Sequence, residues 1–427
     1  MSTPDVIVIG AGASGLTVTR DLTAAGLRVL VLEARDRLGG RIMTHQTADG
    51  PIELGAEFVH GAVEEILGVA REARLPLRES NRRAPSETRR GSSQRRESLS
   101  AIDTLLAHAS NGEDESFQQL VDRVDLDPET KARALGFVEG YHAADPTKIS
   151  VQSLLDNTAA DERPGAERQF RFVRGYDGLV TALFDHSIRE RCTVQRSAVV
   201  TAIVWKRRHV VVRLASGVEH SAPQVVVTVP IGVLKAGAIE FLPRLPEKED
   251  ALRRLEMGAV ARVSLQFKDD AWPGRDMLSG DGFLFTGRAP FPAWWISHPA
   301  PRPVVTGWGG GRGVSKLAML GETDRMGLAL DELGMALGMD ANRLRASLDG
   351  SFHHDWQSDP FSRGAYSYAG VGGRRAGAEL AMPIESTLFF AGEATQSDGR
   401  NATVHGAIAS GQRTAKQVLA AFDTRAK

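Results

Sequence analysis

The first thirty-three residues constrain the fold more than any other stretch. Val6-Ile7-Val8-Ile9 is an unbroken apolar run, as expected of a strand buried on both faces of a parallel sheet. Gly10-Ala11-Gly12-Ala13-Ser14-Gly15 follows at once. A helix is expected from about Gly15, with Leu16, Leu22 and Ala25 apolar and Gly26 just past its end. Val29-Leu30-Val31-Leu32 is a second buried strand, closed by Glu33. In such a unit the glycines allow a tight turn and let backbone N–H groups approach a pyrophosphate at the positive end of a helix. The terminal acid is placed to accept from a ribose hydroxyl. A tight turn in an ordinary βαβ unit is the alternative; the complete context favours dinucleotide binding.

The other end of the chain carries matching signals. Phe390-Ala391-Gly392-Glu393 precedes Ala402-Thr403-Val404-His405-Gly406-Ala407, where a helix is expected to begin near Thr403 and run towards Val418. A nicotinamide must come and go, so one nucleotide-binding unit suffices for it. A flavin usually stays bound, so distant segments can wrap it. A further arm, Ala34-Arg35-Asp36-Arg37-Leu38-Gly39-Gly40-Arg41, adds two glycines for close approach and an arginine able to pair with a phosphate in fork geometry. This second arm favours FAD over NAD.

Composition narrows the class. At 427 residues the chain is long enough for two or three domains with ample core. A net charge of −1 suggests no polyanionic partner, and no nucleic acid is expected. Cys192 is the lone cysteine, which excludes a disulfide framework and a paired-cysteine redox centre. No apolar run approaches transmembrane length, and the first strand starts within a few residues of Met1. A soluble cytoplasmic protein, monomer or homodimer, is expected.

Between the two ends the pattern changes several times. Residues 71–100 are rich in Arg, Ser and Glu, with pairs at Arg82-Arg83, Arg89-Arg90 and Arg95-Arg96. Interleaved Glu79, Glu87 and Glu97 favour a solvated, mobile excursion over an acidic-partner patch. A helical cap is expected from Ser100 to about Glu190, with Asp127-Pro128 as a helix start and Ser150 and Asp177 as N-caps. Short strands are expected at Val199–Val204, Val210–Leu214 and Val225–Val229, completing the nucleotide-binding domain. Ala259–Phe267 and Phe283–Phe285 read as a second sheet, and Leu328 to about Leu348 as helix.

Taken together, these motifs resemble the flavin-dependent amine oxidase superfamily of polyamine oxidases, monoamine oxidases and lysine-specific histone demethylases. The resemblance rests on the glycine loop, on Leu32-Glu33-Ala34-Arg35-Asp36-Arg37-Leu38-Gly39-Gly40-Arg41, and on Glu53-Leu54-Gly55-Ala56-Glu57-Phe58-Val59-His60-Gly61. It is carried further by Thr228-Val229-Pro230, by Trp356-Gln357-Ser358-Asp359-Pro360-Phe361-Ser362-Arg363-Gly364-Ala365-Tyr366-Ser367-Tyr368 and by the C-terminal segment. It implies an α/β, mixed α+β fold: a discontinuous Rossmann-like FAD domain (1–78, 191–245 and 385–427) and an inserted substrate domain (79–190 and 246–384) of mixed sheet with helical cap. It also implies removal of a hydride from the carbon next to an amine nitrogen, hydrolysis of the resulting imine, and reoxidation by oxygen with release of hydrogen peroxide.

The resemblance assigns residues. Cofactor contacts fall to Gly10, Gly12, Ala13, Ser14, Gly15, Glu33, Ala34, Arg35, Gly39, Gly40 and Arg41 in the first arms. Leu54, Gly55, Ala56, Glu57, Val200, Pro230, Trp356, Gly392, Glu393, Thr403 and Val404 complete the set. Tyr366 matches the cage tyrosine and Trp356 a tryptophan beneath the same pocket; for both, an ordinary core aromatic is the alternative. His60 falls at the active-site mouth, where a titrating imidazole can bind substrate nitrogen or take a proton. Three departures stand out. Ala365 replaces the cysteine that monoamine oxidases join to flavin, so FAD is expected to be non-covalent. Thr403 replaces a second cage tyrosine, leaving a half-open cage. Arg262 occupies the position of a lysine that assists oxygen, with Lys268 the nearest lysine, so another electron acceptor is open. A flavin dehydrogenase or desaturase of a non-amine substrate, and a non-catalytic FAD-binding protein, are the competing readings. No inserted tower or chromatin module is visible to support a demethylase role.

Overall fold

A computed structural model describes residues 3–81, 89–109, 113–184, 191–268, 283–287, 290–297, 302–314, 317, 320–396 and 398–423. The apolar runs of the sequence form one parallel sheet. Its spatial order is Leu388–Phe390, Gln224–Val227, Val6–Ile9, Val29–Leu32, Cys192–Gln195. Val6 lies opposite Val29 on one side and Gln224 on the other. Successive side chains of a strand point to opposite faces. Val6, Val8, Val29, Val31, Val226 and Phe389 therefore share one core with helices Ala13–Ala24 and Val404–Asp423. Ile7, Ile9, Leu30, Leu32, Val225 and Phe390 share a second core on the other face. The first and last helices pack closely: Ser14 Oγ lies 3.2 Å from Ser410 Oγ.

The second face is covered by a four-stranded sheet, in order Glu219–Ala222, His209–Leu214, Val200–Lys206, Glu240–Leu242. Of the short strands expected for the nucleotide-binding domain, the last pairs into the parallel sheet and ends at Val227, while the other two form part of this covering sheet. Cys192 sits half-buried at the sheet edge, where burial pushes its thiol up to about 12.

The distal sheet runs Phe283–Phe285, Ala293–Ser297, Val304–Gly310, Val260–Phe267, Leu348–Phe352. It was expected to be mixed and is antiparallel throughout. Val263, Leu265 and Phe267 alternate into a core with Trp294, Ile296 and helix Glu322–Leu337. Arg262, one residue out of phase, lies on the opposite face across from Trp308.

The helical cap comprises Arg89–Leu106, Phe117–Arg123, Pro128–Tyr141 and Val151–Asp161, closed around Leu105, Phe117, Val138 and Leu154. Asp127 accepts from Thr130 N at 2.8 Å and Ser150 Oγ from Ser153 N at 3.0 Å, as caps should. Asp177 is instead the first helical residue, and Tyr176 stands at the cap position. The single helix expected over Leu328–Leu348 is two, Glu322–Leu337 and Ala341–Ser347, because Gly338 turns left-handed at φ +64°. Most of the described part of residues 71–100 is regular structure rather than a loose excursion. Glu79 on strand Leu77–Asn81 pairs with Arg168 at 2.6 Å, and Glu97 on the helix with Arg133 at 2.6 Å. Arg82-Arg83 and Glu87 lie outside the described residues. The expected boundary at 78/79 falls inside strand Leu77–Asn81.

Gly15 is expected to be irreplaceable: a Cβ there would sit 2.0 Å from Gly10 O, inside the strand-to-helix turn. Gly15→Ala should lower stability by about 1–3 kcal/mol, read as a lower denaturant midpoint. An unchanged midpoint would contradict the close approach.

Candidate functional site

A cavity of about 1240 Å³ opens at the carboxyl ends of the parallel strands, lined there by Ile9, Gly10, Leu32, Glu33 and Thr228. This is where ligands bind in open α/β sheets. Two glycine arms meet across it. Gly12 bridges Gly39, and a Cβ on Gly40 would lie 3.3 Å from Gly12 Cα. Glu33 is buried, and its carboxylate accepts from Ala11 N at 2.7 Å and Arg35 N at 3.0 Å. The acid thus shapes both arms as well as facing the cavity. Gly10 and Gly392 adopt φ +101° and +137°, conformations that L side chains rarely take. Beside Gly392 a Cβ would meet nothing, so the backbone there faces open space. Cleft, glycines and buried acid fit an FAD.

Most of the residues expected to touch the cofactor line this cavity. They include Ala13, Ser14, Ala34, Arg35, Leu54, Gly55, Ala56, Glu57, Val200, Pro230, Trp356 and Val404. Gly15 does not, and its role is the turn packing given above. Arg35 is ion-paired with Asp359 at 2.8 Å. Burial raises the Asp359 carboxyl, but hydrogen bonds from His354 and Arg35 outweigh it and leave the group well below the usual range. Arg41, expected to fork onto a phosphate, places Nη1 2.7 Å from Ala365 O and 2.9 Å from Glu393 Oε1. The other oxygen of Glu393 accepts from Ser367 Oγ at 2.6 Å and Ala402 N at 2.9 Å. Three separated segments are tied to this one buried side chain.

Thr403 caps the last helix. Its Oγ accepts from Gly406 N at 2.9 Å and donates to Arg400 O at 2.7 Å. The positive end of a twenty-residue helix therefore faces the cavity, with Thr403, Val404 and His405 on the lining.

Beyond the glycine arms the cavity becomes aromatic, with Phe58, Tyr141, Phe283, Trp295, Trp308 and Tyr366 on its wall. Tyr366 is half-buried, and its hydroxyl donates to Tyr141 O at 2.9 Å. Burial pushes that phenol up, so it stays protonated. Trp356 is buried and donates to Leu54 O at 2.8 Å, which makes it the floor beneath Gly55. His60 and His142 complete the wall, and burial pushes His142 down to about 4.

Arg262 is buried on this wall rather than extended into space. Nη2 donates to Glu57 Oε2 at 2.6 Å and Nη1 to Gly55 O at 3.1 Å. Arg171 Nε lies 3.3 Å from Glu57 Oε1, and Trp295 Nε1 donates to the same oxygen at 3.1 Å. Burial alone would raise the Glu57 carboxyl; the two guanidinium groups more than offset it and hold it below its ordinary value. Sequence reasoning missed Arg171, Trp295, Trp308, Tyr141 and His142. The alternation Ala261–Phe267 carried a signal for Arg262: a charged residue out of phase with Val263 and Leu265 must face a polar or functional surface. Nothing in the local sequence pairs Arg171 with Glu57. Among the described residues there is no metal-binding cluster, and no helix is long and apolar enough to cross a membrane.

Comparisons with known proteins agree with this geometry. The family model "Flavin containing amine oxidoreductase" matches residues 13–107 and 86–419. Polyamine oxidase 3 of Oryza sativa subsp. japonica is 29% identical, over 97% of this chain and 89% of its own length. Lysine-specific histone demethylase 1 homolog 1 of Arabidopsis thaliana is 28% identical over 99% of this chain but only 53% of its own length. Among solved structures, putrescine oxidase bound to putrescine superposes with a TM-score of 0.80 at 22% identity, covering 98% of this chain and 99% of its own. Cyclohexylamine oxidase from Brevibacterium oxydans gives 0.77 at 21% identity, covering 99% and 100%. Both likenesses concern the fold.

Two predictions follow from the site. Thr403→Ala should remove the helix cap at a cost of about 1 kcal/mol and weaken FAD binding; an unchanged unfolding midpoint would contradict the cap. The second concerns pH. His142 and His405 are pushed by burial from 6.5 to about 4, so the unfolded chain takes up their protons first and stability is lost as pH falls through that window. Glu53 is pushed from 4.5 to about 8, mainly by burial, so stability is lost as pH rises through that window. From 4.5 to 6.5 the unfolded state holds 2 − 1 = 1 extra proton, and from 6.5 to about 8 the folded state holds one extra. The melting temperature at saturating FAD should peak near the ordinary histidine value of 6.5, and His405→Asn should flatten the acid side. A steady rise to alkaline pH would contradict the assignment.

Proposed function

The chain belongs to the family of flavin-containing amine oxidoreductases and is an FAD-dependent amine oxidase; from that premise we propose that it acts on a primary or secondary amine of polyamine type. The observation that carries the reading is one continuous cavity, which joins a dinucleotide cleft to an aromatic chamber. The names of its relatives, polyamine oxidases among them, support the substrate type. FAD, held without a covalent bond, supplies an acceptor for the hydride leaving the carbon next to nitrogen, and oxygen or another acceptor takes the electrons onward, oxygen giving hydrogen peroxide.

The chain's residues prepare the amine. A protonated nitrogen cannot push electrons into the leaving hydride, so the amine must be held as its free base. Phe58, Trp295, Trp308 and Tyr366 exclude water and offer an apolar surface, and desolvation disfavours the ammonium form. Tyr366 acts through its ring, since its hydroxyl is engaged by Tyr141 O. His60, its ring centroid 5.9 Å from that of Phe58 and tilted to it, stands on the same wall to orient substrate nitrogen or take its proton. The last helix presents its positive end to the cavity, where it would stabilise negative charge on a bound cofactor.

Tyr366→Ala should slow the limiting rate of anaerobic flavin reduction about tenfold, equivalent to ~1.4 kcal/mol, with FAD retained. Tyr366→Phe should remain close to wild type. Loss of FAD from Tyr366→Ala would make the ring structural. Turnover should yield one carbonyl product per amine consumed, and absence of that product across polyamines and monoamines would defeat the proposal.

A further inference from the structure

Helix Pro128–Tyr141 ends in a cluster of three rings that hydride removal does not by itself require. Phe137 stacks on Tyr141 with ring centroids 5.1 Å apart, and His142 stands edge-on to both, 5.1 Å from Tyr141 and 5.8 Å from Phe137. All three line the chamber. The His142 imidazole hydrogen-bonds to no described residue, and neither ring nitrogen is sealed from accessible space. The helix end itself is held in place. Gly140 O accepts from Trp308 Nε1 at 3.0 Å, and Tyr141 O from the Tyr366 hydroxyl at 2.9 Å. We propose that this cluster is the subsite for the second, protonated nitrogen of the substrate, with His142 accepting its hydrogen bond and the Phe137 and Tyr141 rings facing it. The inference rests on the polyamine reading above and names the group that recognises the nitrogen not being oxidised.

The chemistry of the cluster fits a cation. An ammonium offers three donors and no acceptor, and a neutral imidazole offers one acceptor nitrogen. Burial pushes His142 down to about 4, so near neutral pH the ring is uncharged and does not repel the ligand. A hydrogen bond from a charged donor is stronger than one between neutral groups. Aromatic faces attract cations through their ring quadrupoles. The helix adds its own field: it is fourteen residues long and turns its negative end to the chamber. Carboxylates near this end are already engaged, Glu139 by Arg312 and Glu57 by Arg262, each at 2.6 Å. His60, its ring centroid 6.5 Å from that of Tyr141, is left for the reacting nitrogen. The two nitrogens of one substrate thus meet different surroundings. The first is a free base among apolar rings, and the second keeps its proton at the helix end.

The test uses FAD-loaded protein and two amines of matched shape, putrescine and pentylamine, in which a methyl group replaces the second nitrogen. Dissociation constants are read from the amine dependence of anaerobic flavin reduction. The wild type should bind putrescine more tightly than pentylamine. His142→Phe, which keeps a ring but no acceptor, should lower that preference about tenfold, the lower end for a hydrogen bond to a charged group. His142→Gln, which keeps an acceptor, should retain most of it. A merely structural ring would lower the binding of both amines together and leave the preference unmoved. That outcome, a glutamine variant as impaired as the phenylalanine one, or a wild type preferring pentylamine overturns the proposal. Should His142→Phe fail to fold, Phe137→Leu decides, with an expected fall in preference of about threefold from the lost ring face; no fall overturns the subsite. Should neither amine reduce the flavin, the amine-oxidation reading falls, while binding of both is still read from the visible flavin spectrum and tests the subsite separately.

Discussion

The buried carboxylate of Glu393 joins parts of the chain as far apart as 352 residues, binding Arg41 from the second glycine arm, Ser367 from the segment after Tyr366 and the backbone of Ala402 before the last helix. Each of those segments contributes to the cavity lining. A buried charge left without its partner costs about 3–5 kcal/mol, so the three segments are held to one arrangement. Ala402 takes φ +62° to bring its N–H onto Glu393, and Thr403 then caps the helix. The position of the helix terminus, the opening beside Gly392 and the seat of Arg41 all derive from this carboxylate.

A second buried carboxylate organises the other half of the cavity. Glu57 fixes Arg262, and the strand that carries Arg262 also carries Val263 and Leu265 into the core behind it. The sheet's alternation therefore converts hydrophobic packing on one face into charge placement on the other. The two carboxylates differ in surroundings. Glu393 is bound by neutral donors and one arginine, whereas Glu57 is bound by two arginines and an indole. The first tethers chain segments; the second fixes an ion pair beside aromatic rings. Arg262 is then half of a matched pair with Glu57.

Much of the cofactor half was legible in the sequence because its determinants are local. Four-residue apolar runs, glycine spacing and a terminal acid lie within thirty-three residues, and Asp127 and Ser150 announce their helices by cap chemistry. Asp177 did not act as a cap, since its neighbour Tyr176 is drawn into the core and supplies an N–H to Glu53 at 2.7 Å. The strands at 200–214 were recognisable as strands but not as members of a separate sheet, because pairing partners are set by tertiary packing. Trp356 was read as lying under the pocket, and its indole does anchor the floor through Leu54 O. The chamber wall was the least legible part. Arg171, Trp295 and Trp308 come from three different strands, and Glu57 meets Arg262 across 205 positions.

The central claim is that these distant segments converge to hold FAD next to a chamber in which an amine surrenders two electrons. The most direct measurement is an anaerobic titration of the FAD-loaded protein with a substrate amine, following the visible flavin absorbance. The account predicts complete loss of that absorbance at one amine per flavin, with the flavin released intact when the protein is denatured. Absorbance that persists through excess polyamine and monoamine alike would contradict it.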